Sequence, residues 1–272
     1  MTIWDIDLYR RPVQDSEGQV LWELAVCDPF GQWQVAILAP QNQVNTAWLS
    51  QQLQQLAAQT KGLPDQIRSF RPQSVNLLEP VCSDLGILLT PTRHTLALKQ
   101  WLKQKWQQPN FDPLALDRPA PVPMPEQLWG KQWQFAALPA VDLVETFRDR
   151  PIPVLDIPQA YQPLSLGLAS TLPIPGVMIE AGRSALQLVL WLQSIQPVSL
   201  HFIAGAPDGL ILEAELVNRW VLATFEDAEV EVAAVKFEQR KQAAQGLHFL
   251  LVQPDASGIT QTGFWLLRQE ET

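Results

Sequence analysis

The sequence opens with three short apolar runs, Ile3-Trp-Asp-Ile-Asp-Leu-Tyr9, Val20-Leu-Trp-Glu-Leu-Ala-Val26 and Trp33-Gln-Val-Ala-Ile-Leu38. Turn-forming residues separate them, Asp15-Ser-Glu-Gly18 after the first run and Asp28-Pro-Phe-Gly31 after the second. Connections this short between runs of strand length are typical of β-hairpins. The start of the chain therefore predicts an antiparallel meander of three strands.

Helices and strands alternate after the meander. The pattern predicts a helix over 45–60, a strand over 66–70, a helix over 73–84 that Pro80 bends or divides, a strand over 87–90 and a helix over 95–106. The resulting order, βββαβαβα, is that of ribonuclease-H-like domains, in which helical crossovers add parallel strands to the meander. We therefore predict a ribonuclease-H-like α/β domain for residues 1–108.

A proline-rich stretch divides the chain. Prolines recur between residues 109 and 125, which predicts a stiff, extended linker over 109–126. Residues 127–272 mix strands with helices, so we predict a separate α+β domain there. In its helix over 183–195 we expect the buried stripe to consist of Leu186, Val189 and Leu190.

Charge is distributed unevenly along the chain, whose net charge is −9. Residues 1–108 hold nine basic and nine acidic side chains, so residues 109–272 carry the whole excess, ten against nineteen. Nucleic-acid binders usually carry a basic footprint, so we expect an anionic partner on the N-terminal half or at a local patch. No apolar run reaches the length of a membrane span and a strand begins at once, so we expect a cytoplasmic protein without membrane insertion.

Asp5 and Asp7 alternate with apolar residues on the first strand, which places both carboxylates on one face. A ribonuclease-H-type site needs about four carboxylates converging on two divalent metals. The predicted helices over 45–60 and 95–106 contain no acidic residue, and the fourth strand ends in Ser69-Phe-Arg71. We therefore predict a domain without its metal site: no catalytic residue, no metal and no cofactor. The alternative is a divalent-metal-dependent nuclease with displaced ligands, drawn from Asp5, Asp7, Glu23 and Asp28.

Basic residues are the strongest remaining signal in the N-terminal half. Those that we predict to contact RNA are Arg10, Arg11, Arg71, Arg93, Lys99 and Lys103, with Arg68 beside them. Stacking of single-stranded bases on nearby Trp or Phe adds about 1–3 kcal/mol per base. The set predicts a nucleic-acid surface, and its alternative is a solvated face of paired charges.

Several short motifs occur together along nearly the whole chain. They are Trp4-Asp-Ile-Asp-Leu-Tyr-Arg-Arg-Pro12, Asp15-Ser-Glu-Gly18, Leu21-Trp-Glu-Leu-Ala-Val-Cys-Asp28, Phe70-Arg-Pro-Gln73, Pro91-Thr-Arg93, Leu128-Trp-Gly130, Gly246-Leu-His-Phe249 and Gly263-Phe-Trp-Leu-Leu267. The combination resembles the RNA-binding translation activators of photosystem proteins in cyanobacteria and chloroplasts. The resemblance implies a non-enzymatic protein that recognises A/U-rich leader RNA and promotes translation or biogenesis of photosystem proteins.

The resemblance also implies a contact site in the last strand. A Trp-Leu-Leu near the C-terminus of these proteins is tied to RNA binding, and here it corresponds to Trp265, Leu266 and Leu267. On an edge strand such a run can stack on bases, whereas in a central strand it forms part of the core. An alternative function is a protein-interaction scaffold for photosystem assembly, whose acidic C-terminal part meets a basic assembly or translation factor.

Overall fold

The computed structural model of the protein describes residues 1–60, 62–148 and 150–269. These residues form a mixed α/β structure with six α-helices and three mixed β-sheets. The chain divides into two compact units, which we call unit 1 (Met1–Asp117) and unit 2 (from Arg118 onward). The boundary falls within the residues predicted as a linker.

The described part of unit 1 contains a five-stranded sheet and three helices. In chain order they are β1 (Ile3–Gln14), β2 (Val20–Cys27), β3 (Gln34–Pro40), α1 (Thr46–Gln59), β4 (Gln66–Ser69), α2 (Pro72–Leu85), β5 (Leu88–Pro91) and α3 (Leu96–Lys105). The strand order is β3-β2-β1-β4-β5. Pairing is antiparallel from β1 through β2 to β3 and parallel from β1 through β4 to β5. The predicted order of strands and helices is therefore the observed one.

Local signals account for the helices of unit 1. Asn45 caps α1 by accepting a hydrogen bond from the backbone N–H of Trp48, and Leu49, Leu53 and Leu56 of α1 are buried in the core. Pro80 lies inside α2, which runs unbroken from Pro72 to Leu85, so of the two predicted effects division of the helix is wrong. Pro80 is exposed, whereas Leu78 and Val81 on either side of it are buried. Burial of these neighbours stabilises the helix across the missing backbone donor.

Unit 2 contains the other two sheets among its described residues. Its elements are β6 (Val122–Pro123), β7 (Gln132–Pro139), α4 (Ala140–Arg148), β8 (Val154–Asp156), β9 (Pro173–Glu180), α5 (Ala185–Ile195), β10 (Pro197–Ile203), β11 (Asp208–Ala214), β12 (Asn218–Phe225), α6 (Ala228–Ala243), β13 (Leu247–Gln253) and β14 (Gly263–Arg268). One sheet has the order β10-β11-β12-β6 and the other β7-β9-β13-β14-β8. Helix α4 had no counterpart in the sequence prediction.

The two ends of the proline-rich stretch belong to different units. In unit 1, Leu114 is buried and the Pro113 carbonyl accepts a hydrogen bond from the Arg71 guanidinium. In unit 2, Val122 and Pro123 pair with β12, and Met124 is 3% exposed. Strand β6 is an edge strand of its sheet, and proline, which has no backbone N–H to donate, is tolerated at such an edge.

The buried stripe of α5 differs from the predicted one. Ala185, Leu188 and Val189 face the core, whereas Leu186 and Leu190 are each 53% exposed. Most residues of this helix are apolar, so more than one stripe satisfies the helical period and tertiary packing selects among them. In the described part of the chain, no helix combines the length and the apolar character needed to cross a membrane.

Candidate nucleic-acid interface

Asp5 is buried on β1 and forms a bidentate ion pair with Arg68. The Arg68 Nε atom lies 2.7 Å from Asp5 Oδ1, and Nη2 lies 2.9 Å from Oδ2. The parallel register of β1 and β4 sets the two residues opposite each other. Burial raises the pKa of Asp5, and the Arg68 guanidinium opposes that rise. Asp5 is therefore held by one cation on the neighbouring strand.

Asp7 accepts hydrogen bonds from three side chains. Arg71 Nε donates to Oδ1 at 2.8 Å, Arg11 Nη2 to Oδ2 at 3.1 Å and Ser74 Oγ to Oδ1 at 3.1 Å. The Arg71 guanidinium also lies 3.9 Å from the centre of the Tyr9 ring, in cation–π geometry. Two buried cations thus surround one buried carboxylate, a geometry suited to structural pairing.

Glu23 on β2 closes the same network. Arg11 Nε lies 3.3 Å from Oε1, Lys105 Nζ donates to Oε2, and the Trp106 indole N–H donates to Oε1 at 3.1 Å. The three acids Asp5, Asp7 and Glu23 thereby contact four bases, Arg11, Arg68, Arg71 and Lys105. This buried-charge network carries one more positive than negative charge, so it disfavours a divalent cation.

The geometry does not support the alternative of a divalent-metal-dependent nuclease with ligands drawn from Asp5, Asp7, Glu23 and Asp28. Asp28, its fourth candidate ligand, accepts hydrogen bonds from the backbone N–H groups of Phe30 and Trp33 and so caps the β2–β3 turn. Among the described residues, no group of three or more His, Cys, Asp or Glu side chains is placed to hold a metal ion. Each carboxylate of the network would have to give up its arginine before it could bind one.

The predicted basic set is not one surface. Arg11 and Arg71 are 2% and 1% exposed and belong to the buried-charge network, so their prediction as RNA contacts is wrong for this fold. Arg10 and Lys103 are exposed, and Arg93 is half-buried. Lys99 is also half-buried, with Nζ 5.5 Å from the centre of the Phe70 ring. The burial of Arg11 follows from the alternation of side chains along β1, because Arg11 points inward where Arg10 points outward.

Unit 2 holds a serine, a histidine and a glutamate on adjacent strands. Ser199 Oγ lies 3.0 Å from His201 Nε2, and Glu213 Oε2 lies 3.6 Å from the same nitrogen. A nucleophile–base–acid triad uses both ring nitrogens, one toward the nucleophile and one toward the acid. Glu213 is also paired with Arg118 at 2.7 Å. The arrangement therefore lacks the relay geometry of a hydrolase.

A second polar cluster in unit 2 is buried around His248. Its Nε2 atom accepts a hydrogen bond from Leu200 N at 2.9 Å, and its other ring nitrogen contacts the Gly246 carbonyl at 2.8 Å. This pairing assigns the neutral ring with the proton on Nδ1. Burial, reinforced by the nearby Lys241 charge, holds the pKa of His248 well below 6.5.

We expect unit 2 to lose stability as the pH falls below about 6.5, the ordinary histidine value. Above that pH the His248 ring is neutral in both the folded and the unfolded protein. Below it, the ring binds a proton in the unfolded chain but stays neutral in the folded one. The His248→Gln variant should show a shallower loss between about pH 6.5 and 5, although it is less stable at neutral pH. Denaturant titrations across this range measure the effect, with His94→Gln as the exposed control. Equal slopes in wild type and His248→Gln would contradict the assignment.

Both parts of the chain match one protein family. Residues 3–105 match the family described as "RNA-binding protein Tab2/Atab2 N terminal", and residues 111–268 match "RNA-binding protein Tab2/Atab2, C-terminal domain". The chain belongs to the Tab2/Atab2 family of RNA-binding proteins. The resemblance inferred from the short motifs is thereby confirmed.

Plant relatives in the Tab2/Atab2 family align with nearly the whole chain. "Protein TAB2 homolog, chloroplastic" of Zea mays is 32% identical over 281 residues, covering 97% of this chain and 70% of the relative. The protein of the same name from Arabidopsis thaliana is 32% identical over 279 residues, covering 97% of this chain and 74% of the relative.

Retroviral integrases are among the solved structures that resemble part of this chain. A simian T-cell lymphotropic virus intasome in complex with PP2A regulatory subunit B56 gamma has a TM-score of 0.28 at 16% identity, covering 40% of this chain and 43% of that chain. The HTLV-2 integrase catalytic core domain in complex with magnesium also has a TM-score of 0.28, at 14% identity, covering 40% of this chain and 75% of that chain. TM-scores this low do not establish a shared fold.

In this member of the Tab2/Atab2 family the C-terminal Trp-Leu-Leu lies in the core. Trp265, Leu266 and Leu267 are 2%, 1% and 2% exposed. Their strand, β14, is not an edge strand, because it pairs with β13 on one side and β8 on the other. The surface alternative for these three residues is therefore wrong, and they cannot touch RNA in this fold.

An aromatic and basic cluster on α3 escaped the sequence analysis. Lys105 Nζ lies 5.5 Å from the centre of the Trp101 ring and 5.6 Å from that of Trp106. At 3.6 residues per turn, Trp101 and Lys105 lie roughly 200° around the helix from Lys99 and Lys103. The i, i+4 spacing of Trp101 and Lys105 is the signal that could have revealed this flank.

Proposed function

We propose that this Tab2/Atab2 family member binds A/U-rich single-stranded RNA and activates translation or biogenesis of photosystem proteins without catalysing a reaction. The observation that carries the proposal is the pairing of the buried acids Asp5, Asp7 and Glu23 with arginine and lysine side chains, which favours RNA binding over metal-dependent cleavage. Family membership supports RNA as the partner. The photosystem role rests on the motif resemblance and on the chloroplast relatives. A cytoplasmic location, in a cyanobacterium, is part of the same proposal.

We further infer that unit 1 is a ribonuclease-H-like domain whose acidic positions serve folding. The strand order β3-β2-β1-β4-β5, with two parallel strands added to a meander, supports this inference. The paired acids lie on β1 and β2, where the nuclease alternative would draw its metal ligands. On this view 1–108 is the ribonuclease-H-like domain, 109–126 its linker and 127–272 the α+β domain.

The proposed phosphate contacts lie on unit 1, whose basic and acidic residues balance over positions 1–108. They are Arg10, Arg93, Lys99 and Lys103, with Lys105, Trp101 and Trp106 on the second flank of α3. Lysine contributes a point charge toward phosphate, and the half-buried tryptophans offer ring faces for bases. Phosphate contacts of this kind make affinity depend on salt but not on sequence.

Removing charge from α3 should weaken RNA binding and its salt dependence together. In the Lys99→Gln/Lys103→Gln variant we expect the Kd for A/U-rich single-stranded RNA to rise about tenfold at low salt. The slope of log K against log salt should fall by about 1.4, since each single-strand phosphate contact contributes about 0.7. Filter-binding titrations at several salt concentrations measure both quantities.

The matched control removes two exposed charges from unit 2, as Arg148→Gln/Lys236→Gln, and should bind as the wild type does. The titration is run with magnesium, and the RNA is read on a gel. No binding by the wild type would overturn the proposal, and magnesium-dependent cleavage would restore the nuclease. Addition of the protein to a cell-free translation reaction with an A/U-rich leader should raise the yield, and an unchanged yield would contradict translation activation.

A second candidate function is the protein-interaction scaffold. The acid excess of residues 109–272, nineteen against ten, favours a basic protein partner there. Photosystem assembly or translation factors that co-purify after ribonuclease treatment would support it. If ribonuclease treatment removes all co-purifying proteins, the scaffold function is contradicted and RNA binding is favoured.

A further inference from the structure

Unit 2 contains a cavity that the proposed function does not yet use. Its volume is about 420 Å³, and its walls come from β6, β7, β9, β11 and β12, so both sheets of unit 2 contribute. This volume lies within the range of small-molecule sites in proteins. The floor consists of core side chains such as Val177 and Leu210, which are 0% and 1% exposed. The base of the cavity is therefore formed by the packed core of unit 2.

Two tryptophans form the aromatic part of this cavity. Trp129 is 57% exposed, yet its indole N–H donates to the Met124 carbonyl at 2.9 Å, which holds the ring in place. Trp133 is held from behind by the Phe225 and Phe135 rings, at centroid distances of 5.5 and 5.4 Å. Both rings are pre-organised, so a ligand that stacks on them meets little ordering cost.

The Leu128-Trp-Gly130 motif needs glycine at its third position because the backbone there lies close to β9. A Cβ atom at position 130 would lie 2.6 Å from Ile179 Cγ2, and Ile179 is part of the cavity wall. Only glycine lets the backbone pass this close to β9 between the two tryptophans. Leu128 packs in the core of unit 2, and the Trp129-Gly130 part of the motif shapes the cavity.

The lining selects for a neutral, planar ligand. None of the described residues that line the cavity is charged, so a phosphate or a carboxylate would lose its hydration without a partner there. The polar side chains are Gln132 and Thr224, both exposed and therefore at the rim. An amide and a hydroxyl can each donate and accept, which suits the polar edge of a nucleobase.

We infer that this cavity binds one unstacked nucleobase of single-stranded RNA, stacked on Trp129 and Trp133 with its polar edge toward Gln132 and Thr224. The inference rests on the proposed function and adds a base contact in unit 2 to the phosphate contacts of unit 1. A neutral base in an uncharged cavity also accounts for RNA contact by the unit that carries the acid excess.

Two variants test the cavity without touching buried core. Trp129→Ala removes the exposed stacking ring, and Thr224→Phe fills the cavity from its rim. Each should raise the Kd for A/U-rich single-stranded RNA about tenfold, the size of one lost stacked base, while the slope of log K against log salt stays unchanged. Leu190→Ala, an equally exposed apolar site in unit 2, is the matched control and should bind as the wild type does.

Photo-crosslinking locates the base directly. A/U-rich RNA carrying 4-thiouridine should crosslink to a peptide containing Trp129 or Trp133, and Thr224→Phe should abolish that crosslink. If the wild type binds RNA and both variants bind it with the same affinity, the cavity inference is overturned and the proposed function stands. The same holds if the wild type crosslinks to RNA only through unit 1. No RNA binding by the wild type would instead overturn the proposed function. If free adenosine or uridine abolishes the crosslink at Trp129 while the affinity for RNA stays unchanged, the cavity binds a free nucleoside and the inference is overturned.

Discussion

The Trp265→Ala variant should lose about 3–5 kcal/mol of unfolding free energy, the usual cost of truncating a buried tryptophan. Trp265 is 2% exposed and packs in the main core of unit 2, among residues of α5, β10 and β13. Its ring lies directly over Gly263, where an added Cβ would come within 2.7 Å of it. Denaturant titration followed by circular dichroism measures the loss.

RNA binding should fall with the folded fraction of Trp265→Ala and not ahead of it. Trp129→Ala provides the matched comparison, because it removes the same side chain from an exposed position. We expect Trp129→Ala to keep the wild-type unfolding free energy and to lose affinity, whereas Trp265→Phe should recover part of the stability and bind normally when folded. A stable Trp265→Ala protein with weakened RNA binding would contradict the assignment of Trp265 to the core.

The Asp7→Asn variant should lose about 3–5 kcal/mol of unfolding free energy, because it removes one partner from a buried ion network. Asp7 is fully buried, and its two oxygens accept hydrogen bonds from Arg11, Arg71 and Ser74. Asparagine keeps the shape but leaves two guanidinium groups with less negative charge around them. The unfolding free energy of unit 1, measured by denaturant titration, should therefore fall.

Asp84→Asn is the control for this second variant, since Asp84 is exposed on α2 and its substitution should change stability by only a few tenths of a kcal/mol. The same two proteins discriminate between the structural role of Asp7 and a catalytic one. A folded Asp7→Asn protein with unchanged stability that has lost a magnesium- or manganese-dependent cleavage activity would contradict the ion network and restore the nuclease.

These variants separate two ways of losing RNA binding. Trp265 and Asp7 act through folding, because both are enclosed by the unit to which they belong. Lys99, Lys103 and Trp129 are proposed to act through contact, with the lysines setting the salt dependence and Trp129 the stacking of a base. Binding data on this family are therefore interpretable only beside the folded fraction of each variant.

The element order of unit 1 and the scarcity of acids on its helices α1 and α3 were predictable from local sequence patterns. Turn residues such as Asp15 and Asp28 act within a few positions of themselves, and Asn45 caps a helix that begins at the next residue. The helical spacing of Leu49, Leu53 and Leu56 likewise places them on one buried face of α1. These features were predictable because the interactions responsible lie between near neighbours in the chain.

Which charged and aromatic side chains reach the surface depends on contacts between distant segments of the chain. Arg71 is buried because the parallel pairing of β1 with β4 brings it to Asp7, 64 positions away. Trp265 is buried because β8, β13 and α5 enclose it, and Leu190 is exposed because Ala185 and Leu188 occupy the core face instead. The cavity at Trp129 likewise needs strands from two sheets. Burial depends on pairing between distant segments, and residue spacing along one strand or helix does not contain that information.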